Sequence, residues 1–124
     1  MILAVVDDLL FRSKISSAAK ALGVELAVAS SADAALEKAR ERRPFAILLD
    51  LDGTKTRPLD LLRAFRADPE LAAVRTLGFV SHVHAEVIRE ARAAGVDEVL
   101  ARGAFAQALP DILRRLATGT AESR

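Results

Sequence analysis

The stretch FAILLDLD, residues 45–52, decides the fold, because five consecutive apolar residues lead directly to Asp50, with Asp52 just after it. A continuous apolar run of this length is typical of a strand that is covered on both faces of its sheet. Parallel strands are usually buried in this way. The stretch therefore predicts a central strand of a parallel sheet that carries acidic side chains at its carboxyl end.

Four similar apolar runs accompany it, and segments of helical periodicity lie between them. The five predicted strands are Ile2–Val6, Val24–Ala29, Phe45–Leu51, Leu77–Val80 and Val99–Ala101. Strands that alternate with helices indicate right-handed crossovers and an α/β, doubly wound parallel sheet of five β/α units. The expected core includes Val5, Leu48, Leu49, Phe79 and Val80.

Capping residues and prolines predict the ends of the helices. Gly23 and Gly95 are expected to end the first and fourth helices. Ser30 is the expected N-cap of a second helix that runs to Arg43. The other predicted boundaries are Pro58 to Asp68, Ala85–Ala94, and Pro110 to about Thr118.

Length and composition favour one domain and exclude several kinds of site. Of 124 residues 52% are hydrophobic, which predicts a single domain over residues 1–118 and a short polar tail over 119–124. The absence of cysteine excludes disulfides and thiolate ligands, and it suits a cytoplasmic location. A net charge of +1 supplies no electrostatic case for nucleic acid or for an anionic membrane. No apolar run is long enough to span a membrane.

Carboxylates follow two of the predicted strands. Asp7 and Asp8 end the first strand, while Asp50 and Asp52 end the third. Ligands of open parallel sheets bind beyond the carboxyl ends of the strands. If these two strands are neighbours, the carboxylates converge and require a cation such as Mg²⁺, a hard ion that takes one or two carboxylates. Alternatively, each aspartate only caps the helix or turn that follows its strand.

The chain resembles a bacterial two-component receiver domain of the CheY-like type from Ile2 to about Leu116. The segments that carry the resemblance are ILAVVDD, AILLDLD, DLLRAFR, GFVS, AGVDEVLAR and DILRRLA. The resemblance implies a flavodoxin-like (βα)5 fold with strand order 2-1-3-4-5. It also implies that Asp50 accepts a phosphoryl group, that Ser81 supplies the strand-four hydroxyl, which would bond the acyl phosphate, and that Arg102 stands in the position of the family's lysine. The implied Mg²⁺ site consists of Asp8, Asp50 and the backbone carbonyl of Asp52, with Asp7 in the outer coordination sphere.

Several positions depart from the family's pattern, including His82 after Ser81 and the loop Gly53–Arg57, which lacks the usual Met-Pro pair. Arg102 replaces a lysine with a planar fork, Gly103 replaces the usual proline, and Val99 replaces the aromatic switch residue. A phosphorylation-independent pseudo-receiver is therefore a second interpretation of the same resemblance.

The resemblance further implies signalling through protein contact, not turnover of a metabolite. The implied partners are a histidine kinase or phosphotransfer protein and a separate output protein. The partner surface is expected on Ala85–Ala94 and Leu109–Leu116, and a homodimer through the last two β/α units is a further expectation.

A competing interpretation makes the chain an enzyme. The motif DLDGT, residues 50–54, resembles the first motif of haloacid-dehalogenase-type phosphatases, with Asp50 as nucleophile and Asp52 as acid/base. That family places the motif on its first strand, whereas two β/α units precede it here.

Overall fold

A computed structural model describes residues 1–53 and 56–118. Three parts of the chain lie outside the described residues: Thr54, which ends the phosphatase-like motif DLDGT, the next residue Lys55, and the predicted tail over 119–124. The strands are β1 (Ile2–Val5), β2 (Leu26–Ala29), β3 (Ala46–Asp50), β4 (Arg75–Val80) and β5 (Glu98–Ala101). The helices are α1 (Leu9–Leu22), α2 (Ala32–Glu41), α3 (Pro58–Ala67), α4 (Ala85–Ala94), α5 (Arg102–Gln107) and α6 (Leu109–Ala117).

The five strands form one parallel sheet in the order β2-β1-β3-β4-β5, which confirms the predicted fold. The first and third strands are direct neighbours, with Val5 paired to Leu49. The order reverses between these two strands, and a crevice opens beyond their carboxyl ends at such a switch point. The aspartates that follow β1 and β3 therefore lie at one edge of the sheet.

The helices cover both faces of the sheet and divide the core into two clusters. Side chains of α2, α3 and α4 pack on one face with Leu3, Val5 and Leu49. Side chains of α1, α5 and α6 pack on the other face with Ala4 and Leu48. Since neighbouring residues of a strand point to opposite faces, the continuous apolar runs supply both clusters. All five predicted core residues are buried.

The predicted glycine caps are confirmed, but one end of α2 differs from the prediction. Gly23 and Gly95 end their helices in the left-handed conformation. The N-cap of α2 is Ser31, not Ser30, and its Oγ accepts a hydrogen bond of 3.1 Å from the Ala34 amide. The prediction was wrong by one residue because β2 continues to Ala29 and Ser30 lies in the bend after it, so the extended residue that directly precedes the helix is Ser31.

The other end of α2 also differs from the prediction. The second helix ends at Glu41, and Arg42 is extended and pairs with Glu25. The predicted last helix is α6, with Pro110 in its first turn, and it is preceded by the short helix α5, which was not predicted. The predicted starts of β2, β4 and β5 each shift by one or two residues, which is ordinary for element ends.

Arg66 holds together the amino-terminal side of the sheet. Its guanidinium donates to the carbonyls of Gly95 over 2.7 Å and of Val74 over 2.9 Å, and to the Thr76 hydroxyl over 3.1 Å. It also pairs with Asp97 at 3.2 Å. One side chain thus ties α3 to β4 and to the segment before β5. This network lies away from the crevice and has a structural role.

Among the described residues, none of the helices has the length and apolar character that crossing a membrane requires.

Candidate functional site

The register of the sheet gathers polar residues at its carboxyl edge. Asp50 is paired with Phe79, and Val80 is paired with Ala101. Ser81 and Arg102 come directly after these last two residues, so they emerge beside Asp50. Asp7 and Asp8 follow β1, the strand on the other side of β3.

Asp50 lies at the bottom of this edge and is only 2% exposed. Its Oδ1 accepts a hydrogen bond of 2.9 Å from the Asp52 amide, and its Oδ2 accepts one of 3.0 Å from Arg102. Burial raises the pKa of Asp50, and the nearby charges of Asp52 and Asp7 act in the same direction. The hydrogen bond from Asp52 and the charge of Arg102 oppose that rise in the pKa without cancelling it.

Asp8 makes two kinds of contact in the structure: it caps a helix, and it accepts a hydrogen bond from Arg102. As the N-cap of α1, its Oδ1 accepts hydrogen bonds from the amides of Leu10 and Phe11, at 3.0 and 3.2 Å. Its Oδ2 accepts a hydrogen bond of 3.3 Å from Arg102. The pKa of Asp8 is lowered, first by the amide of Phe11 and then by the hydrogen bond from Arg102.

Arg102 connects the two acidic groups. Its guanidinium donates to Asp8 and to Asp50, and it lies 3.9 Å from Oδ2 of Asp52. The central carbon of the guanidinium stands 4.8 Å above the centroid of the Phe11 ring, a distance that allows a cation–π contact. Its Nε is buried and has no hydrogen-bond partner in the described part of the chain. A planar, delocalised cation suits this position between carboxylates and an aromatic ring.

Ser81 contacts Asp52 instead of Asp50. Oδ2 of Asp52 accepts two hydrogen bonds from Ser81, one of 2.8 Å from the backbone amide and one of 2.6 Å from the hydroxyl. The contact joins the segment after β3 to the segment after β4. The carboxylates of Asp7, Asp8, Asp50 and Asp52 form what we call the acidic edge. The hydroxyl of Ser81 is close to this edge, but it donates its proton to the carboxylate of Asp52.

Gly53 lies close to Asp7 and Thr56. A Cβ at position 53 would lie 3.6 Å from Oδ1 of Asp7 and 2.6 Å from the buried hydroxyl of Thr56. Glycine therefore allows the segment after β3 to pass close to Thr56. The carboxylate of Asp7 lies near those of Asp50 and Asp52, although none of the hydrogen bonds described above joins it to them.

The arrangement fits a cation. Asp8 and Asp50 each direct one carboxylate oxygen at the same guanidinium, so these oxygens converge on a single positive charge. Mg²⁺ usually takes only one or two carboxylates, together with waters. In residues 1–53 and 56–118, no three His, Cys, Asp or Glu side chains form a ready-made metal-binding group. A metal ion at this edge would share Asp8 and Asp50 with Arg102.

The structure thus brings together the residues that the sequence predicts for the site, but it also shows contacts that were not predicted. Hydrogen bonds link Asp8, Asp50, Asp52, Ser81 and Arg102. One missed contact is the Asp52–Ser81 pair. The receiver-like prediction uses only the backbone carbonyl of Asp52, whereas here its side chain accepts hydrogen bonds as well. Another is the contact of Arg102 with the ring of Phe11, a residue of α1.

Comparisons with known proteins address the fold. No family model matches the chain, and no curated protein matches it in sequence. The chemotaxis response regulator CheY4 of Vibrio cholerae is 23% identical, with 93% of this chain and 96% of that chain covered and a TM-score of 0.82. The receiver domain of NtrX from Brucella abortus is 25% identical, with 95% of this chain and 98% of that chain covered and a TM-score of 0.78. The phosphorylated cyanobacterial phytochrome response regulator RcpA is 20% identical, with 98% of this chain and 95% of that chain covered and a TM-score of 0.81.

These matches extend over nearly the whole length of each of the three solved structures. The acidic edge lies at the switch point of this sheet, which is where open parallel sheets bind their ligands. The family that the sequence motifs resemble is also the one to which these structures are similar in fold. The chain has the fold of the CheY-like receiver domains of response regulators.

Proposed function

We propose that the protein is a receiver-like signalling domain in which Asp50 accepts a phosphoryl group with the help of Mg²⁺. The observation that carries the proposal is the convergence of Asp8 and the buried carboxylate of Asp50 on one cation at the switch point. Structural similarity to a phosphorylated response regulator supports it.

In the proposed reaction, an oxygen of Asp50 attacks the phosphorus of the donor, and the bond from phosphorus to the leaving group breaks. The product is an acyl phosphate, and the leaving group takes the electron pair. Such a transfer depends on positioning and on charge neutralisation more than on covalent assistance. Arg102 supplies one positive charge beside Asp50, and the Asp52 amide holds the other oxygen of Asp50 in place.

The proposed Mg²⁺ ligands are Asp8, Asp50 and the backbone carbonyl of Asp52, with Asp7 in the outer coordination sphere. When bound, Mg²⁺ neutralises the carboxylates and the incoming phosphoryl oxygens. Arg102 has to give up part of its contact with Asp8 and Asp50, since a carboxylate oxygen that faces a guanidinium is less open to a metal.

The proposed partners are a histidine kinase or phosphotransfer protein as donor and a separate output protein as receiver of the signal. We place the output surface on α4 and on Leu109–Leu116 of α6, where self-association into a homodimer is also proposed. A cytoplasmic location is part of the same proposal.

Phosphoester turnover is the competing function, and one contact opposes it. An acid/base role needs an Asp52 carboxylate that is free to exchange a proton with the substrate, whereas Oδ2 of Asp52 accepts two hydrogen bonds from Ser81. Steady Mg²⁺-dependent hydrolysis of p-nitrophenyl phosphate that is lost in Asp52→Asn would favour the phosphatase instead.

The deciding experiment is a titration with Mg²⁺ and beryllium fluoride, a mimic of the phosphoryl group, followed by amide NMR. We expect shifts near Asp50, Ser81 and Arg102 in the native protein and none in Asp50→Asn, which keeps the shape but lacks the nucleophile. Asp111→Asn removes an exposed carboxylate of α6 and should respond as the native protein does. A native protein whose spectrum does not change would contradict the proposal and identify a phosphorylation-independent pseudo-receiver.

A further inference from the structure

The contact between Asp52 and Ser81 joins two segments that border the acidic edge. One carboxylate oxygen of Asp52 accepts both polar hydrogens of Ser81, from the amide at 2.8 Å and from the hydroxyl at 2.6 Å. Hydrogen bonds to a charged acceptor are stronger than bonds between neutral groups. Ser81 is therefore held by Asp52 at both its backbone and its side chain.

This contact uses a group that the phosphorylated state needs. A serine hydroxyl has one proton to donate, and here that proton points at Asp52. The hydroxyl cannot donate the same proton to an oxygen of a phosphoryl group on Asp50. A contact between Ser81 and such a group requires the bond to Asp52 to break first.

The charges near Asp52 act in the same direction. Arg102 lies 3.0 Å from Oδ2 of Asp50 and 3.9 Å from Oδ2 of Asp52, so both carboxylates draw on one cation. A phosphoryl group on Asp50 adds negative charge close to the Asp52 carboxylate, and like charges at short range repel each other. The Asp52 side chain therefore favours the state without the phosphoryl group.

We infer that Asp52 is a positioning residue that holds Ser81 in the resting arrangement and thereby limits the switch to the phosphorylated arrangement. The inference rests on the proposed function, since it assumes that Asp50 is the acceptor. A ligand shifts an equilibrium between two states only by its difference in affinity for them. Stabilising the resting state through Asp52 lowers the apparent affinity for a phosphoryl group or its mimic.

A double-mutant cycle tests the inference. Beryllium fluoride is titrated at fixed Mg²⁺ into the native protein, Asp52→Ala, Ser81→Ala and the double variant. We expect Asp52→Ala to bind the mimic about tenfold more tightly, the scale of one charge-assisted hydrogen bond. In the Ser81→Ala background the same substitution should give a clearly smaller gain, because the hydroxyl that Asp52 holds is gone. Asp52→Asn retains an acceptor oxygen for Ser81 and should fall between the native protein and Asp52→Ala.

A second measurement needs no phosphoryl mimic. Without Mg²⁺ and beryllium fluoride, hydrogen exchange of the Ser81 amide should be faster in Asp52→Ala than in the native protein, because that amide loses its acceptor. This readout tests the contact itself, whether or not Asp50 is an acceptor.

The outcomes separate the inference from the proposed function. An equal gain in both backgrounds would show that Asp52 acts through its charge alone and would overturn the inference, as would unchanged or weaker binding in Asp52→Ala. Either result leaves the proposed function intact. If none of the four proteins responds to beryllium fluoride, the proposed function fails and the inference fails with it, even where the amide exchange of Ser81 has changed.

Discussion

The guanidinium of Arg102 donates to the buried carboxylate of Asp50 over 3.0 Å, at the position where we propose that Mg²⁺ binds. The same guanidinium reaches Asp8 and is held from the side by the ring of Phe11. Arg102 is thus an internal cation of the acidic edge. Mg²⁺ at the proposed site would compete with Arg102 for the same two carboxylates.

Removing this internal cation should strengthen metal binding. We expect Arg102→Ala to bind Mg²⁺ roughly tenfold more tightly, since the metal no longer competes with a charge-assisted hydrogen bond on Asp50. Calorimetric titration at constant ionic strength measures the difference. Arg89→Ala is the matched control, because it removes the same charge from an exposed position on α4. Equal affinities in the native protein and Arg102→Ala would show that Arg102 and the metal do not compete.

The cap of α2 gives a test with two adjacent serines. Ser31→Ala removes the acceptor of the Ala34 amide and should lower the free energy of unfolding by about 1 kcal/mol. Ser30→Ala removes an exposed hydroxyl without a capping function and should change it by less than about 0.5 kcal/mol. Urea denaturation of the two variants decides between them, and a larger loss in Ser30→Ala would reverse the assignment.

The same pair of serines shows what the sequence could and could not predict. The apolar runs and the glycine caps were sufficient for five strands and for the ends of α1 and α4, because these depend on local chemistry. The choice between Ser30 and Ser31 was not local. Both serines are suitable N-cap residues, and the path of the chain after β2, which ends at Ala29, places the hydroxyl of Ser31 at the amide of Ala34.

The candidate site divides in a similar way. Aspartates at strand ends predicted an acidic edge, because parallel strands end on the same side and the family resemblance made the first and third strands neighbours. The contacts made by side chains from different loops could not be predicted. Ser81 was expected to face a phosphoryl group on Asp50, yet without one its nearest strong acceptor is Asp52. The short side chain and free rotation of serine allow either contact.

Arg66 gives a prediction about stability at the other end of the sheet. Arg66→Lys should lower the free energy of unfolding by about 2 kcal/mol, because an ammonium cannot replace a fork that reaches Gly95, Val74 and Thr76 together. Arg63→Lys is the control: its partner Asp60 is exposed, and such pairs contribute roughly 0–1 kcal/mol. Losses of similar size in the two variants would contradict the structural role of Arg66.

The last prediction concerns Asp50 and pH. Burial raises the pKa of Asp50 in the folded protein above its value in the unfolded chain. A group with a raised pKa stabilises the fold fully only below its unfolded pKa, and that contribution is lost as the pH rises through its folded pKa. At pH 7 the ionised carboxylate is therefore unfavourable. Asp50→Asn, which is neutral and of nearly the same shape, should raise the free energy of unfolding there by on the order of 1 kcal/mol.

The gain should shrink as the pH falls, because the native carboxyl becomes protonated and then resembles the amide in charge. Urea denaturation of both proteins at neutral pH and at a pH near the unfolded pKa of aspartate, about 3.9, measures this change. Asp33→Asn, at a side chain that is 93% exposed, controls for the loss of one negative charge and should show no comparable gain. If Asp50→Asn is instead less stable than the native protein at neutral pH, the contact with Arg102 outweighs burial. The acidic edge would then be an ion pair already satisfied by Arg102, with little need for a metal.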